Sequence, residues 1–127
     1  MKICGSGIDV IEVERIEEVM HEFGGRFLRR IFTEGERAYC SSQQRPAAHF
    51  AARWAAKEAV SKALGTGIGE LLGWHDIEIT RLNSGEPRLV LQGRGHEFAS
   101  EHGIEEIKIS LTHARDYAAA NAVAMTQ

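Results

Sequence analysis

The sequence predicts an α+β fold in one domain spanning residues 1–127, with helices in the first half packed on an antiparallel sheet. Three observations carry that expectation. Apolar residues recur with helical spacing from residue 13 to residue 64, and alternate in the strand manner after residue 76. No linker, repeat or low-complexity tract divides a chain whose 127 residues are one domain's worth.

Taken in order, residues 2–9 read as a strand. Residues 13–32 read as helical, with a break near Gly24 and Gly25. Thr33 and Glu36 have the spacing of a capping box, which opens a short helix through Cys40. Residues 41–46 are polar and read as a loop. The main helix follows over residues 47–64 and ends at Gly65, placed as a C′ glycine. Residues 76–82 and 88–92 alternate on either side of the turn-forming run Asn83-Ser84-Gly85-Glu86-Pro87, which predicts a hairpin. A short helix over residues 96–101 stops at Gly103. Residues 107–112 and 118–125 complete the chain as two strands joined across residues 114–117.

Composition excludes several classes of function. A net charge of −3 and a pI near 6.1 argue against a nucleic-acid binder, whose affinity would come from basic residues. Cys4 and Cys40 have neither C-x-x-C spacing nor paired histidines, so neither a disulfide framework nor a structural zinc is expected. Asp9 and Glu12 interrupt the first apolar run, which is too short for a signal sequence, and nothing approaches the length of a membrane span. A cytoplasmic protein with no membrane partner is the expectation.

The richest chemistry lies in Trp54-Ala55-Ala56-Lys57-Glu58-Ala59-Val60-Ser61-Lys62. On a helix, Glu58 and Lys62 share a face with Trp54 and Gly65, so a carboxylate and an ammonium project toward one volume. A Glu with a Lys four residues on is also the commonest surface pair. Here, however, Ala51, Ala52, Ala55, Ala56, Ala59, Val60, Ala63 and Leu64 make most of the helix small or apolar, which confines its charge to a narrow strip. Asp9 ends an apolar strand, where it could cap the following helix or serve as a ligand. Gly65-Thr66-Gly67-Ile68-Gly69 closes a helix, whereas a dinucleotide-binding glycine loop opens one. His96-Glu97 with His102 lacks the i, i+4 histidine spacing of a zinc peptidase.

Four motifs together resemble one family. G-x-D-x-x-x-x-x-R-I from Gly7 to Ile16, W-A-A-K-E-A-x-S-K-A from Trp54 to Ala63, G-T-G-I-G from Gly65 to Gly69, and S-L-T-H from Ser110 to His113 occur in the order of the holo-acyl-carrier-protein synthases. These are short 4′-phosphopantetheinyl transferases. The resemblance implies transfer of the 4′-phosphopantetheine arm of coenzyme A to a carrier-protein serine, releasing 3′,5′-ADP, in fatty-acid biosynthesis. It implies that Asp9 and Glu58 hold one Mg²⁺, with Mn²⁺ as an alternative, and that Lys62 meets the phosphate oxygens. The base is either Glu58 or a metal-bound water polarised by Asp9 or Glu58.

Coenzyme A would also lie along Ser61, Lys62, Gly65, Thr66 and Gly67, near Arg53 and His113 at its phosphates and near Pro87 at its adenine. By helical angle Arg53 is far from the Glu58 face, so a neighbouring subunit's site is the place it could serve. Longer relatives carry two such units in one chain, from which a homotrimer with sites between subunits is expected. Arg15, Arg26, Arg29 and Arg30, interleaved with Phe27, Leu28, Ile31 and Phe32, form a candidate docking surface for the acidic carrier. An ordinary amphipathic helix would look the same, and Glu12, Glu14, Glu17, Glu18 and Glu22 crowd the preceding helix. The competing function is a trimeric coenzyme A or nucleotide-binding module without catalysis.

Overall fold

Strand pairing joins the two ends of the chain. In the computed structural model, which describes residues 1–127, β1 (Lys2–Glu12) lies antiparallel to β5 (Tyr117–Thr126). β4 (Glu106–His113) pairs with the other edge of β5, giving the order β1-β5-β4. The hairpin expected around Gly85 forms a separate two-stranded sheet of β2 (Ile77–Arg81) and β3 (Pro87–Leu91). The fold is α+β as expected, with two sheets in place of one and its first strand drawn into the C-terminal half.

The helices are α1 (Val13–Phe23), α2 (Gly25–Ile31), α3 (Glu34–Ser41), α4 (Pro46–Leu64) and α5 (Gly93–Glu101), with a single 3-10 turn at Trp74–Asp76. Gly24, at φ 55°, breaks α1 from α2. The Thr33–Glu36 capping box is present in both directions. Pro46 opens α4 at its first turn, where a missing N–H costs nothing, and Gly65 closes it in the left-handed conformation at φ 77°. No helix is long and apolar enough to cross a membrane.

Two expectations need correction. β1 runs three residues beyond Asp9, because its pairing with β5 continues to Glu12 opposite Tyr117. Asp9 is therefore inside a strand, and it is not the cap of α1, whose N-cap is Glu12. The last helix begins at Gly93, ahead of His96. Gly93 and Gly95 weaken its helical signal, yet Gly95 is buried where a Cβ would press on Leu72 and on the Asp76 carbonyl oxygen.

α4 is the centre of the molecule. Its first half packs with Val13, Ile16, Ile31 and Phe32, and its second half packs with Leu72, Ile77, Ile79 and the alanines of β5. Ala118, Ala120, Ala122 and Ala124 all point inward and are buried, so the helix can lie low on the sheet. The closest approach is to β1. A Cβ on Gly7 would overlap the Ala59 carbonyl oxygen, and one on Gly5 would overlap that of Ala63. Backbone meets backbone there, which only glycine permits.

A buried ion pair ties α3 to α4. Lys57 Nζ lies 2.7 Å from Glu36 Oε1, with both side chains fully inaccessible. The ammonium also donates to the carbonyl oxygens of Ile31 and Trp74, each at 2.9 Å. Glu36 accepts from the backbone N–H groups of Thr33 and Ile79. Burial lowers the Lys57 pKa, and the Glu36 carboxylate opposes that shift. Such a pair is costly to break because the survivor is left charged and dry. Lys57→Met should therefore lower unfolding free energy by about 3–5 kcal/mol, read from urea melts. A loss below about 1 kcal/mol would show that the pair does not hold these elements together.

Candidate active site

The partly exposed strip of α4 is Trp54, Glu58 and Lys62, between buried neighbours on both sides. Trp54 is packed against Phe27 and Trp74, with ring centroids 6.1 and 4.5 Å away. Glu58 and Lys62 continue the strip toward the helix end. Asp9 reaches the same volume from β1, on the strand face that Gly5 and Gly7 press against α4.

Lys62 does not pair with Glu58. Its Nζ lies 3.1 Å from Asp9 Oδ1 and donates to the Ile8 carbonyl oxygen at 3.0 Å. The surface-pair reading of Glu58 and Lys62 is thus overturned, since the ammonium bridges helix to strand. Asp9 retains 18% side-chain exposure and Lys62 51%, so the ammonium is open to solvent while the carboxylate is nearly covered. Glu58 is partly buried. Its pKa is raised by that burial and by the nearby Asp9 carboxylate, with Lys62 opposing.

Two neighbouring carboxylates with a shared cation suit a metal that takes few protein ligands. Mg²⁺ prefers hard oxygens and keeps several waters, so Asp9 and Glu58 fit it, with other positions left for water or phosphate. No group of three or more His, Cys, Asp or Glu side chains forms a complete protein cage. The donor set resembles a site finished by a ligand.

At the end of α4, the Ser61 carbonyl oxygen accepts from the N–H groups of Thr66 and Gly67 at 3.1 and 3.2 Å. This turn brings Gly65, Thr66 and Gly67 to the surface beside Lys62. Ser61, expected along the cofactor, is fully buried and donates its hydroxyl to the Glu58 carbonyl oxygen at 2.7 Å. Its hydroxyl is spent within the helix and does not reach the surface beside Lys62.

Arg53 and His113 form a second group, apart from the first. Arg53 is 1% exposed, its Cζ 4.4 Å from the Tyr39 ring centroid. His49 links the two, because its backbone oxygen accepts from Arg53 at 3.5 Å and its ring lies 4.7 Å from that of His113. Pro87 stands elsewhere again, lining a cleft of about 520 Å³ between β3, α5 and β4. Within one chain the structure therefore does not bring Arg53, His113 or Pro87 to Asp9, Glu58 and Lys62.

The basic candidates Arg15, Arg26, Arg29 and Arg30 are all exposed on α1 and α2. Of their apolar neighbours, Ile31 and Phe32 are buried and have nothing to offer a docked protein, while Phe27 and Leu28 are half-buried against the core. Their spacing marks the inward side of α2 and its C-cap, and Phe23 at the end of α1, at 47% exposure, is the most open apolar group nearby. His49, Tyr39 and Arg81 were not singled out from sequence. Nothing local marks them, since they come from α4, α3 and β2 and meet only in the fold.

Comparison with known proteins agrees with this architecture. A model of the 4′-phosphopantetheinyl transferase superfamily matches residues 5–122. A holo-[acyl-carrier-protein] synthase of Chlamydia trachomatis serovar L2 is 49% identical over 120 residues, covering 94% of this chain and 98% of that protein. The crystal structure of the Neisseria meningitidis holo-[acyl-carrier-protein] synthase superposes with a TM-score of 0.92 at 31% identity, over 98% of this chain and 100% of that one. The Helicobacter pylori synthase, solved in complex with coenzyme A, gives a TM-score of 0.85 at 31% identity, over 94% and 99% of the two chains. Fold, motif order and near-complete coverage coincide, and the chain belongs to the holo-[acyl-carrier-protein] synthases of the 4′-phosphopantetheinyl transferase superfamily.

Proposed function

We propose that this chain transfers the 4′-phosphopantetheine arm of coenzyme A to a serine of an apo-acyl-carrier protein, releasing 3′,5′-ADP. The reading places it in the cytoplasm, in fatty-acid biosynthesis. The observation that carries it is the convergence of Asp9, Glu58 and Lys62 at the exposed end of α4.

Asp9 and Glu58 would hold Mg²⁺ or Mn²⁺, which when bound offsets the charge of the diphosphate. Lys62 keeps its hold on the Ile8 carbonyl and, being half exposed, can turn a second N–H to a phosphate oxygen that gains charge as 3′,5′-ADP leaves. A serine hydroxyl must lose its proton to attack phosphorus. Glu58, whose burial raises its proton affinity, is placed to accept it directly or through a water that Asp9 or Glu58 polarises. Gly65, Thr66 and Gly67 border the space beside Lys62 along which the cofactor can lie. Arg15, Arg26, Arg29 and Arg30 offer the carrier a charged rim.

Incubating purified apo-carrier with this protein, coenzyme A and Mg²⁺ should add the mass of the phosphopantetheine arm to the carrier. Asp9→Ala and Glu58→Ala should each abolish the gain while remaining folded. Cofactor binding without any mass gain would favour the non-catalytic module.

Lys62→Ala tests the mechanism more closely. Loss of one preorganised donor should lower kcat by roughly two orders of magnitude with thermal stability nearly unchanged, because Lys62 is half exposed and water can take the place of its ammonium beside Asp9. An unchanged kcat in a stable variant would remove Lys62 from the chemistry.

The reading includes a homotrimer. The outward face of the three-stranded sheet exposes Ile8 at 67%, Val10 at 59% and Tyr117 at 55%, an apolar patch adjoining Asp9. Light scattering should give three times the chain mass. Ile8→Glu should shift the protein toward monomer and lower activity together, whereas an active monomer would defeat the trimer.

A further inference from the structure

The group around His49 is unusual in its charges. Arg53 from α4 and Arg81 from β2 both lie over the ring of Tyr39 from α3, at 4.4 and 5.4 Å. His113 from β4 stands edge-on to His49, and Tyr39 also meets the His49 ring, at 5.9 Å. Every charged or titratable group facing His49 is thus cationic, imidazole or phenol, and neither Arg53 nor Arg81 has a carboxylate within ion-pair distance. Two nitrogens are buried with no hydrogen-bond partner: Arg53 Nε and His49 Nδ1. A buried guanidinium without a counter-charge is costly, and its natural complement is an anion.

We propose that His49 is a positioning residue of an anion-binding group completed by Arg53, Arg81 and His113, and that it takes up a proton when a phosphate-bearing ligand occupies the group. The proposal rests on the reading of Arg53 and His113 as phosphate contacts. In the free protein, burial first and then the charges of His113, Arg53 and Arg81 hold His49 below the usual imidazole value, so the ring is neutral near pH 7. A phosphate monoester brings nearly two negative charges into the same volume. It reverses the repulsion on the ring, which accepts a proton from the buffer and stiffens the edge-on contact with His113. No co-reactant is required. Proton uptake occurs between the free and the bound pKa of His49, and affinity declines as pH rises through the bound value.

Calorimetric titration of the intact protein with 3′,5′-ADP, in two buffers of different ionisation enthalpy at about pH 6.5, counts the protons taken up on binding. Ionisation of the ligand itself is common to every variant and cancels in the comparison. His49→Gln should take up fewer protons per site than the unaltered chain, and its affinity should fall less steeply with pH. The ring C–H signal of His49, followed by NMR in the unaltered protein, should show its titration midpoint move upward on saturation with 3′,5′-ADP, which reads the same proton without a substitution. Binding with equal proton counts and an unmoved midpoint overturns the proposal and leaves the phosphate reading standing. Binding that Arg53→Ala does not weaken overturns the phosphate reading, and the proposal falls with it.

Discussion

The contact between the backbones of β1 and α4 sets the geometry of the site. Gly5 and Gly7 carry no side chain to hold the strand away, and the residues opposite them are Ala59 and Ala63. Asp9 lies two residues beyond Gly7 on the same strand face, while Glu58 and Lys62 flank Ala59 and Ala63 on the helix. The spacing of the two carboxylates and the ammonium is therefore a consequence of backbone packing. Alanines from β5 extend the same principle across the sheet, where larger side chains would lift α4 and separate strand from helix.

Two lysines on α4, five residues apart, show how burial divides one residue type into two kinds. Lys57 points inward, is saturated by Glu36 and two carbonyl oxygens, and has nothing left to offer a ligand. Lys62 points outward and retains donors that its bonds to Asp9 and Ile8 do not use. Lys57 also satisfies the Ile31 carbonyl at the end of α2, so the helix bearing Arg29 and Arg30 is fastened to the helix bearing Glu58. A protein docked on the first would be positioned against a rigid neighbour of the second.

Local features were the legible part of the sequence. The capping box at Thr33, the stop at Gly65, the break at Gly24 and the hairpin around Gly85 each depend on a few adjacent residues, and each is present. Pairing of β1 with β5 was not legible, because it joins residues more than a hundred positions apart and the alternation in either strand names no partner. The partly exposed strip of α4 could be read from its lone charges among alanines. Lys62's true partner could not, since an i, i+4 Glu on the same helix is the only carboxylate that periodicity can propose. The inward turn of Phe27, Leu28, Ile31 and Phe32 was missed for a related reason: arginines and apolar residues alternate on α2 as they would on any half-buried helix.

Charge is segregated along α4 in a way that bears on assembly. Arg53 and Glu58 are five residues apart, which on a helix is a rotation of about 140° and a rise of about 7.5 Å. The carboxylates and Lys62 consequently open on one side, while the cationic group of Arg53, Arg81, His49 and His113 lies on another. The proposed coenzyme A substrate would call for both, the carboxylates to hold a metal at its diphosphate and the cations to meet its remaining anionic groups. One chain cannot present both to the same ligand atoms. In the proposed trimer a second copy would supply the other group by seating on the outward sheet face, where the strand that carries Asp9 exposes Ile8 and Val10. In that trimer, burying the face and completing the site would be one event, and the strand that carries Asp9 would couple assembly to activity.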